Sequence, residues 1–308
     1  MTDLVIVGAG PSALTAGIYA ARDGLSVQIF EKEMIGGIIS TSEFVENYPG
    51  FEDGISGHDL ARKMRIQAEK FGVKINYGEV SDLEDLGESV KMKVDGEEFE
   101  SRMVLIATGN SYRKLGLARE NEFIGRGIHF CATCDGAFYA GKTVISVGGG
   151  NAGVQEALFL SKFAKVKMLV RSKIKAQEIL QKKLEKAVEE GKIELFLGAQ
   201  IEEILVEKGD FGDKIRGVKV RRGDSETFEI RADGIFEFVG LIPNTKFLEN
   251  SQVRLNGRGE IIVDEKFQTS SKNIFASGDV VENAEKQLVI AAGSGTKAAI
   301  EISKKLHN

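Results

Sequence analysis

The fold is decided first by LVIVGAGPSA, residues 4–13, in which an all-apolar run enters a glycine-rich turn. The run predicts a short buried strand, and residues 14–23 predict a helix after the turn. Gly8 permits the tight turn, Gly10 lets the backbone approach a pyrophosphate, and small Ala13 allows the helix to pack closely on the strand. Unpaired N–H groups at the start of the helix favour phosphate. The stretch therefore predicts a dinucleotide-binding fold.

An acidic residue follows at the distance that this fold uses. Residues 26–30 predict the second strand, and Glu31 ends it 23 residues after Gly8. A carboxylate at this position accepts both hydroxyls of an adenosine ribose. A glycine turn without a ligand would show the same glycines, but the strand, helix and acid together favour a bound dinucleotide.

The pattern begins again at KTVISVGGGNAG, residues 142–153, with a predicted strand, a full GxGxxG turn and a predicted helix over residues 154–163. Two such turns imply two nucleotides brought to one reaction centre. The next predicted strand, residues 166–170, is followed by Arg171, Lys173 and Lys175 instead of an acid. The missing carboxylate disfavours NAD and the cations suit a 2′-phosphate, so NADP agrees with the charge, although a solvated basic face would look the same.

CATCDG, residues 131–136, holds the only two cysteines among the 308 residues. Two thiols at this spacing can close a small disulfide ring and so store and release one electron pair. The alternatives are a zinc half-site and incidental buried cysteines. A structural zinc site needs four ligands, and only His58, His129 and His307 accompany the two cysteines. The spacing favours a redox dithiol, and we expect no metal site.

The whole chain limits the class of protein. A hydrophobic fraction of 42% and a charged fraction of 28% are ordinary for a globular protein, and 308 residues suffice for two domains. The net charge of -5 argues against a nucleic-acid binder. No apolar run approaches the ~20 residues that span a bilayer, and MTDLVIV lacks the features of a signal peptide. We expect a cytoplasmic protein without a membrane segment, in which a lone CxxC is more often catalytic than structural.

The remaining patterns predict further α/β structure. Asp279 follows a predicted strand, where a carboxylate binds ribityl hydroxyls or caps a turn without any ligand. Helices are expected at residues 58–71, 177–191 and 288–305, strands at 91–94, 98–100, 103–107, 192–196, 217–221, 227–231, 234–239 and 273–276, and hairpin turns at 209–212 and 222–223.

Together these motifs resemble the low-molecular-weight thioredoxin reductases of bacteria and archaea, one class of pyridine nucleotide-disulfide oxidoreductases. The resemblance covers essentially the whole chain in the family's order. It is carried by GAGP (8–11), GG (36–37), ENYPG (46–50), ATG (107–109), GRG (125–127), CATCDG (131–136), GGGN (148–151), VGLIPN (239–244) and ASGD (276–279).

The resemblance implies an α/β fold with two Rossmann-like, three-layer domains. An FAD domain would comprise residues 1–113 and 246–308, and an inserted pyridine-nucleotide domain, residues 114–245, would carry the CxxC. It further implies FAD and NADPH as cofactors, a homodimer, and a rotation of one domain against the other. By this likeness the chain is a thioredoxin-disulfide reductase that passes electrons from a reduced nicotinamide through FAD and the dithiol to thioredoxin or a thioredoxin-like protein.

The likeness also assigns roles to residues. Cys134 would face the flavin, Cys131 would attack the disulfide of the partner, and Asp135 would act as acid and base. Glu31 would bind the adenosine ribose of FAD, Asp279 its ribityl chain, and residues 286–288 would lie near the flavin ring. The FAD-binding residues implied are Gly8, Gly10, Pro11, Ser12, Glu31, Gly37, Ile38, Asn47, Ala107, Thr108, Gly109, Gly278, Asp279, Lys286, Gln287 and Leu288, and the NADP-binding residues are Gly148, Gly150, Asn151, Gly153, Arg171 and Lys175.

Departures from the family's pattern concern the electron donor. The family's NADPH users carry a His-Arg-Arg run and a further Arg, of which only Arg171 matches here. Where the family has Ser or Thr, Ala and paired glutamates after the second turn, this chain has Ala152, Gly153, Gln155 and Glu156. One lost charge-assisted phosphate contact costs ~1.5 to 3 kcal/mol, or roughly ten- to a hundredfold in affinity.

Three other interpretations stay open at this point. NADH could replace NADPH, or ferredoxin or a reduced deazaflavin could reduce the flavin. An FAD-dithiol enzyme of this fold could also run as a dithiol oxidase. From a different class, the chain could be a flavin-binding redox sensor. Two substitutions stand near the sites: Ile38 replaces a usual Gln, and His129 precedes Cys131, where we expect no effect of the imidazole on the thiol.

Overall fold

The computed structural model describes residues 1–42, 44–209, 212–223 and 225–307. The chain forms two compact units. Unit 1 comprises Met1–Ser111 and Ile242–Asn308, and unit 2 comprises Tyr112–Leu241.

Both units contain strands and helices. The strands are β1 (Thr2–Val7), β2 (Val27–Glu31), β3 (Lys74–Tyr77), β4 (Val80–Asp85), β5 (Val90–Val94), β6 (Glu97–Ile106), β7 (Asn110–Tyr112), β8 (Ile128–His129), β9 (Thr143–Val147), β10 (Lys165–Val170), β11 (Ile193–Leu197), β12 (Ala199–Gly209), β13 (Gly212–Arg222), β14 (Glu226–Arg231), β15 (Gly234–Glu237), β16 (Leu241–Pro243) and β17 (Ile274–Ala276). The helices are α1 (Pro11–Arg22), α2 (Gly57–Lys70), α3 (Glu120–Phe123), α4 (Ala132–Asp135), α5 (Asn151–Leu160), α6 (Glu178–Glu189) and α7 (Leu288–His307).

Unit 1 is built around a sheet in the order β3-β2-β1-β6-β5-β4, with β17 also paired to β6. The strands β3, β2, β1, β6 and β17 run parallel, whereas β4 and β5 form antiparallel pairs beside them. Leu4 to Val7 of β1 are buried because the strand is covered on both faces. Apolar residues of α1, α2 and α7 form one of the two cores against this sheet. The carboxyl ends of β1, β2 and β17 therefore lie at one edge, where ligands bind in such folds.

Unit 2 has a parallel sheet in the order β11-β10-β9-β15-β8 and an antiparallel sheet in the order β12-β13-β14. Helices α5 and α6 contribute apolar residues to the core on the parallel sheet. The predicted hairpin turn at residues 209–212 includes residues 210 and 211, which lie outside the described residues. The end of β9 places the second glycine turn, and β8 leads into the cysteines.

The chain crosses between the units in β7 and β16, which pair with each other. On the side of unit 2, Arg113 N donates to Gly240 O at 3.0 Å, and on the side of unit 1, Asn244 N donates to Gly109 O at 3.1 Å. The two crossing points are thus held together by backbone hydrogen bonds. Within the described residues, none of the helices has the length and apolarity that crossing a membrane requires.

Candidate active site

The first glycine turn is a tight backbone junction between β1 and α1. Gly8 adopts a left-handed conformation with φ of 97°, and a Cβ there would lie 2.6 Å from the carbonyl oxygen of Ala107. Gly10 has open space around it, and none of the described side chains caps the start of α1 there. Pro11 occupies the first turn of the helix, where it lacks an N–H that would need a partner. The turn therefore leaves backbone exposed for an anion at the helix N-terminus.

Glu31 stands at the end of β2 and is bound to this turn. Its Oε2 accepts a hydrogen bond from Ala9 N at 2.7 Å, and its Oε1 accepts one from Glu33 N at 2.8 Å. Each carboxylate oxygen keeps a further lone pair, because an ionised carboxylate offers about four acceptor sites. The acid is therefore fixed beside the glycines with capacity left for hydroxyl donors such as those of a ribose.

Two glycines that the sequence singled out lie against the same turn. Gly36 N donates to Ala9 O at 2.8 Å, and a Cβ on the left-handed Gly37 would lie 3.5 Å from the Cα of Gly10. Ile38 follows within a short 3-10 helix, Gly37–Thr41, and its carbonyl accepts the hydroxyl of Thr41. The Gly-Gly pair thus forms a wall of the cradle that begins at Gly8.

The C-terminal part of unit 1 reaches the start of α1 from a distant place in the sequence. The hydroxyls of Ser12 and Ser277 are 2.7 Å apart, and a Cβ on Gly278 would lie 2.9 Å from Ser12 Cβ. Gly278 N donates to Ser294 Oγ of α7 at 3.0 Å. The turn after β17 is therefore locked between α1 and α7, and it presents Asp279 at the same edge of the sheet.

Asp279 is a partly buried acid with few partners. Burial raises the pKa of its carboxyl, and the positive charge of Lys286 opposes this effect. The Lys286 ammonium donates to the Asp279 carbonyl oxygen at 3.0 Å, not to the carboxylate. Within the described ranges, no hydrogen bond to the Asp279 side chain is found, so its oxygens remain acceptors for hydroxyl donors.

The other residues assigned to FAD are spread around this cradle. Asn47 Nδ2 lies 3.4 Å from Gln287 Oε1, so these two residues are brought together. Thr108 is engaged elsewhere, because its hydroxyl donates to Asn244 O at 2.9 Å and its carbonyl accepts from Asn244 Nδ2 at 2.9 Å. Leu288 begins α7 and packs partly into the core of unit 1.

The second glycine turn repeats the geometry of the first between β9 and α5. A Cβ on Gly148, which is left-handed with φ of 138°, would lie 2.4 Å from Phe238 O. A Cβ on Gly153 would lie 2.4 Å from Gly148 O, whereas Gly150 has open space around it. Here too the backbone at the start of a helix is open to an anion.

The basic segment after β10 folds back over this turn. Lys175 N donates to Gly149 O at 2.7 Å, and Gln177 N donates to the side-chain oxygen of Asn151 at 2.8 Å. The residues Arg171 and Lys175 are exposed, and no ion pair is found for either in the part of the chain that the structure describes. Backbone hydrogen bonds therefore hold the cations beside the turn while their charges stay available.

The two cysteines lie at the start of α4, which directly follows β8. Their sulfurs form a disulfide of 2.09 Å, and both residues are half-buried. Cys134 N donates to Cys131 Sγ at 3.2 Å, so the first sulfur caps the helix that carries the second. Ala132 N donates to Glu156 Oε2 of α5 at 3.1 Å, and burial raises the pKa of Glu156. The redox turn is thus bound to the helix that begins at the second glycine turn.

Asp135 is buried directly after Cys134 and contacts a histidine for which the sequence indicated no role. The Nδ1 atom of His129 lies 3.3 Å from Asp135 Oδ2, and its Nε2 atom lies 2.8 Å from the hydroxyl of Tyr139. The other carboxylate oxygen of Asp135, Oδ1, is buried without a hydrogen-bond partner among the described residues. The only sequence signal for His129 was its place two residues before Cys131.

Similarity to known proteins extends along nearly the whole chain. The model of the family "Pyridine nucleotide-disulphide oxidoreductase" matches residues 2–295. The chain is 38% identical over 299 residues to a thioredoxin reductase of Bacillus subtilis (strain 168), with 96% of this chain and 92% of that protein covered. A thioredoxin reductase of Listeria monocytogenes serovar 1/2a is 38% identical over 305 residues, covering 98% of this chain and 93% of the relative.

Solved structures agree with these relatives. The crystal structure of thioredoxin reductase from Streptococcus pyogenes MGAS5005 has 35% sequence identity and a TM-score of 0.88, covering 100% of this chain and 98% of that one. The predicted α/β fold with two Rossmann-like domains is confirmed, and so is the prediction of an oxidoreductase. The chain belongs to the pyridine nucleotide-disulphide oxidoreductases and, within them, to the thioredoxin reductases.

Proposed function

We propose that the protein uses a reduced nicotinamide, FAD and the Cys131–Cys134 dithiol to reduce the disulfide of thioredoxin or a thioredoxin-like protein. The observation that carries the proposal is the closed Cys131–Cys134 disulfide on a chain that also has a glycine-turn cradle in each unit. Two nucleotide cradles and one dithiol are the parts that such an electron transfer needs. Membership in the family supports the cofactors that the sequence predicted.

FAD fits the cradle of unit 1. The open backbone at Gly10 and the start of α1 would hold the pyrophosphate, Glu31 the adenosine ribose, and the partly buried carboxyl of Asp279 the ribityl hydroxyls. When bound, FAD supplies the step that converts the hydride of a nicotinamide into an electron pair for a disulfide. In this proposal, unit 1 is the FAD domain and unit 2 is the pyridine-nucleotide domain.

The second cradle suits NADPH. Gly148, Gly150 and Gly153 give the backbone access that a pyrophosphate needs. Arg171 and Lys175 place two cations where the adenosine ribose of a nucleotide on this fold would carry its 2′-phosphate. Because these charges are exposed, NADPH is favoured over NADH by electrostatic attraction instead of by a closed pocket.

The dithiol has a division of labour in this proposal. Cys131 attacks the disulfide of the partner, Cys134 faces the flavin, and Asp135 manages the proton that thiol and thiolate exchange. Only a thiolate attacks a disulfide, so an acid that follows Cys134 directly is well placed to control the reactive fraction. We propose that in the cell the protein is a cytoplasmic homodimer and that thioredoxin is its partner.

The proposed function is tested by anaerobic titration of the purified, FAD-loaded protein. NADPH, NADH and dithiothreitol are added in parallel while the flavin absorbance is followed, and oxidised thioredoxin is then added. We expect stoichiometric NADPH to bleach the flavin and thioredoxin to restore its colour. Bleaching by dithiothreitol alone, with neither nicotinamide effective, would contradict the assigned donor and point to ferredoxin or a reduced deazaflavin.

The division of labour is tested with Cys134→Ser. This variant should lose reduction of thioredoxin while the bleaching of its flavin by NADPH persists, because the hydroxyl cannot form the disulfide. Its matched control is Ser161→Ala at the C-cap of α5, which keeps both activities. Loss of FAD from Cys134→Ser would contradict the assignment.

A further inference from the structure

Asp135 is the end of a buried chain of three polar side chains. The hydroxyl of Tyr139 lies 2.8 Å from His129 Nε2, and His129 Nδ1 lies 3.3 Å from Asp135 Oδ2. The exposed fractions are 8% for Tyr139, 4% for His129 and 6% for Asp135. Buried polar groups of this kind are costly unless they are paired. These three side chains therefore form an interior polar network and not a surface contact.

The position of the imidazole is fixed by its neighbours. His129 lies on β8 opposite Phe236 of β15, and the two rings stack with centroids 5.1 Å apart. The ring of Tyr139 meets the imidazole edge-on at 5.3 Å. The Tyr139 ring in turn lies on Gly234, where an added Cβ would be 2.4 Å from a ring carbon. The imidazole therefore holds one orientation toward Asp135.

An imidazole suits an acid that changes its protonation state. When Asp135 is ionised, its carboxylate only accepts, so His129 Nδ1 must carry the hydrogen and Tyr139 donates to Nε2 or accepts from it. When Asp135 is protonated on Oδ1, the proton stands on the oxygen left for the thiols, and Oδ2 remains an acceptor that faces Nδ1. The contact between Nδ1 and Oδ2 is therefore favourable in both states, because the imidazole offers its hydrogen and Oδ2 is an acceptor in each.

We propose that His129 is a positioning residue that holds Asp135 through Oδ2 in both protonation states and leaves Oδ1 for the thiols. The proposal rests on the proposed function of the dithiol. It gives a reason for the free buried oxygen, since Oδ1 has no partner within the described residues while Oδ2 is engaged. Tyr139 supports the imidazole from its other side.

The reaction requires Asp135 to alternate between these two states. Cys131 thiolate attacks a sulfur of the partner disulfide, so that a Cys131–partner bond forms, the partner's S–S bond breaks, and the leaving thiolate takes the proton of the Asp135 carboxyl. The Cys134 thiol then gives its proton to the Asp135 carboxylate. Its thiolate attacks Cys131 Sγ, which closes the disulfide and releases the second partner thiolate to be protonated by solvent. Two electrons thus pass to the partner, and the cysteine pair is oxidised.

Among the described residues, few other titratable groups lie near the side chains of Tyr139, His129 and Asp135. On α5, Glu156 accepts from Ala132 N, and the Lys142 ammonium lies 5.4 Å from the centroid of the Tyr139 ring. Cys131 is the N-cap of α4, and Cys134 lies within this helix. Glu156 and Lys142 therefore contribute equally to the pH profile of the dithiol in the wild-type protein and in a variant that changes only His129.

The test compares His129→Phe, which keeps a ring but has no polar atom, with His129→Asn, which can donate to and accept from Asp135. Each FAD-loaded protein is reduced with dithiothreitol, freed of excess reagent, and mixed with thioredoxin or with the small disulfide 5,5′-dithiobis(2-nitrobenzoate). We expect His129→Phe to slow this single-turnover reduction of oxidised thioredoxin roughly ten- to a hundredfold at saturating thioredoxin, with little change in the half-saturating concentration, and His129→Asn to recover much of the rate. The exposed His58→Phe is the control and keeps the wild-type rate.

The pH profile separates positioning from a merely structural role. Without the Nδ1 donor the carboxylate of Asp135 is less stable, so the limb of the profile that belongs to Asp135 moves to higher pH in His129→Phe. An unchanged single-turnover rate and pH profile in this variant, or a parallel loss of FAD content and of flavin bleaching by NADPH, would overturn the proposal. If the wild-type protein failed to reduce thioredoxin but still reduced the small disulfide, the assignment of thioredoxin as the partner would be wrong. The role of His129 would not be affected by that result.

Discussion

The two glycine turns have the same backbone but differ in the residues that come after the second strand of each unit. In unit 1, Glu31 ends β2 and is tied by two backbone N–H groups, so the proposed ribose acceptor is held by the fold. In unit 2, Arg171 and Lys175 come after β10, and only the backbone of their segment is tied to the turn. In the proposed function, the comparison implies that the first cradle selects its nucleotide by a fixed acid, whereas the second selects by exposed and adjustable charges.

The largest effect is expected from adding a methyl group at the two turns. In Gly8→Ala and Gly148→Ala the new Cβ would meet a carbonyl oxygen at 2.6 and 2.4 Å, and both residues are left-handed. We expect each to lose roughly 3 kcal/mol or more of stability, measured by urea unfolding. Gly8→Ala should lose its flavin, and Gly148→Ala should keep flavin that NADPH no longer bleaches.

Gly257→Ala is the control for both glycine variants, because open space surrounds its Cα. It should change neither stability nor flavin content by a measurable amount. If Gly148→Ala lost flavin as completely as Gly8→Ala, the two cradles would not be independent.

The next effect concerns the acid that ends β15 in unit 2. Glu237 is buried, and burial together with the carboxyl of Glu120 raises its pKa to about 9. Its unfolded pKa is 4.5, so folding takes up a proton between about pH 4.5 and 9 and stability falls as pH rises through this range. Glu237→Gln should therefore stabilise the protein by roughly 2 to 5 kcal/mol at pH 8 and by almost nothing at pH 4.

Urea unfolding at both pH values measures this difference, and the exposed Glu226→Gln on β14 serves as its control. A gain of equal size at pH 4 and pH 8 would show that the carboxyl of Glu237 does not carry the effect. The result bears on the comparison of the two units, because Glu31 and Glu237 each end a parallel strand. Of these two acids, only Glu31 binds backbone donors at a glycine turn.

A smaller effect is expected at the cations of the second cradle. Arg171→Ala should raise the KM for NADPH about ten- to a hundredfold and leave the KM for NADH nearly unchanged, because one charge-assisted phosphate contact is lost. Steady-state kinetics with thioredoxin as acceptor measures both values. Lys183→Ala, an exposed cation of α6, is the control. Equal losses with NADPH and NADH would argue against a 2′-phosphate contact.

The smallest effect is expected from Glu31→Gln. The amide keeps one acceptor oxygen but turns an N–H donor toward one of the two backbone N–H groups that Glu31 now binds. We expect the dissociation constant for FAD to rise about tenfold, measured by quenching of flavin fluorescence during reconstitution. Glu33→Gln, which keeps the backbone N–H that Glu31 uses, should leave it unchanged.

Local patterns predicted the parts of the fold that local physics decides. The strand at residues 4–7 and the glycine turn are present, and α1 begins at Pro11, three residues before the predicted start. Proline lacks the N–H of a helix interior but is well suited to the first turn, which explains the earlier start. The long strand Ala199–Gly209 was not predicted, because its mixed polar sequence becomes a strand only through pairing with Gly212–Arg222.

In the candidate site, too, local spacing predicted some features and long-range packing decided the others. The glycines, Glu31 and the cysteines have a spacing that indicates their chemistry. The contact of Ser12 with Ser277 joins residues 265 positions apart, which no local pattern encodes. His129 was missed because α4 and the following 3-10 turn, Gly136–Tyr139, bring Asp135 and Tyr139 back onto β8. The direction of these side chains depends on the packing of Phe236 and Gly234.

The pairing of β7 with β16 has a consequence for the history of the chain. Because both crossings lie side by side, the two ends of unit 2 meet at one place. Unit 2 is thus a cassette whose removal would leave neighbouring ends at Ser111 and Ile242, which a short linker could join. A gene of this form can exchange the whole of unit 2 as a single insert while the sheet of unit 1 keeps every strand in its register.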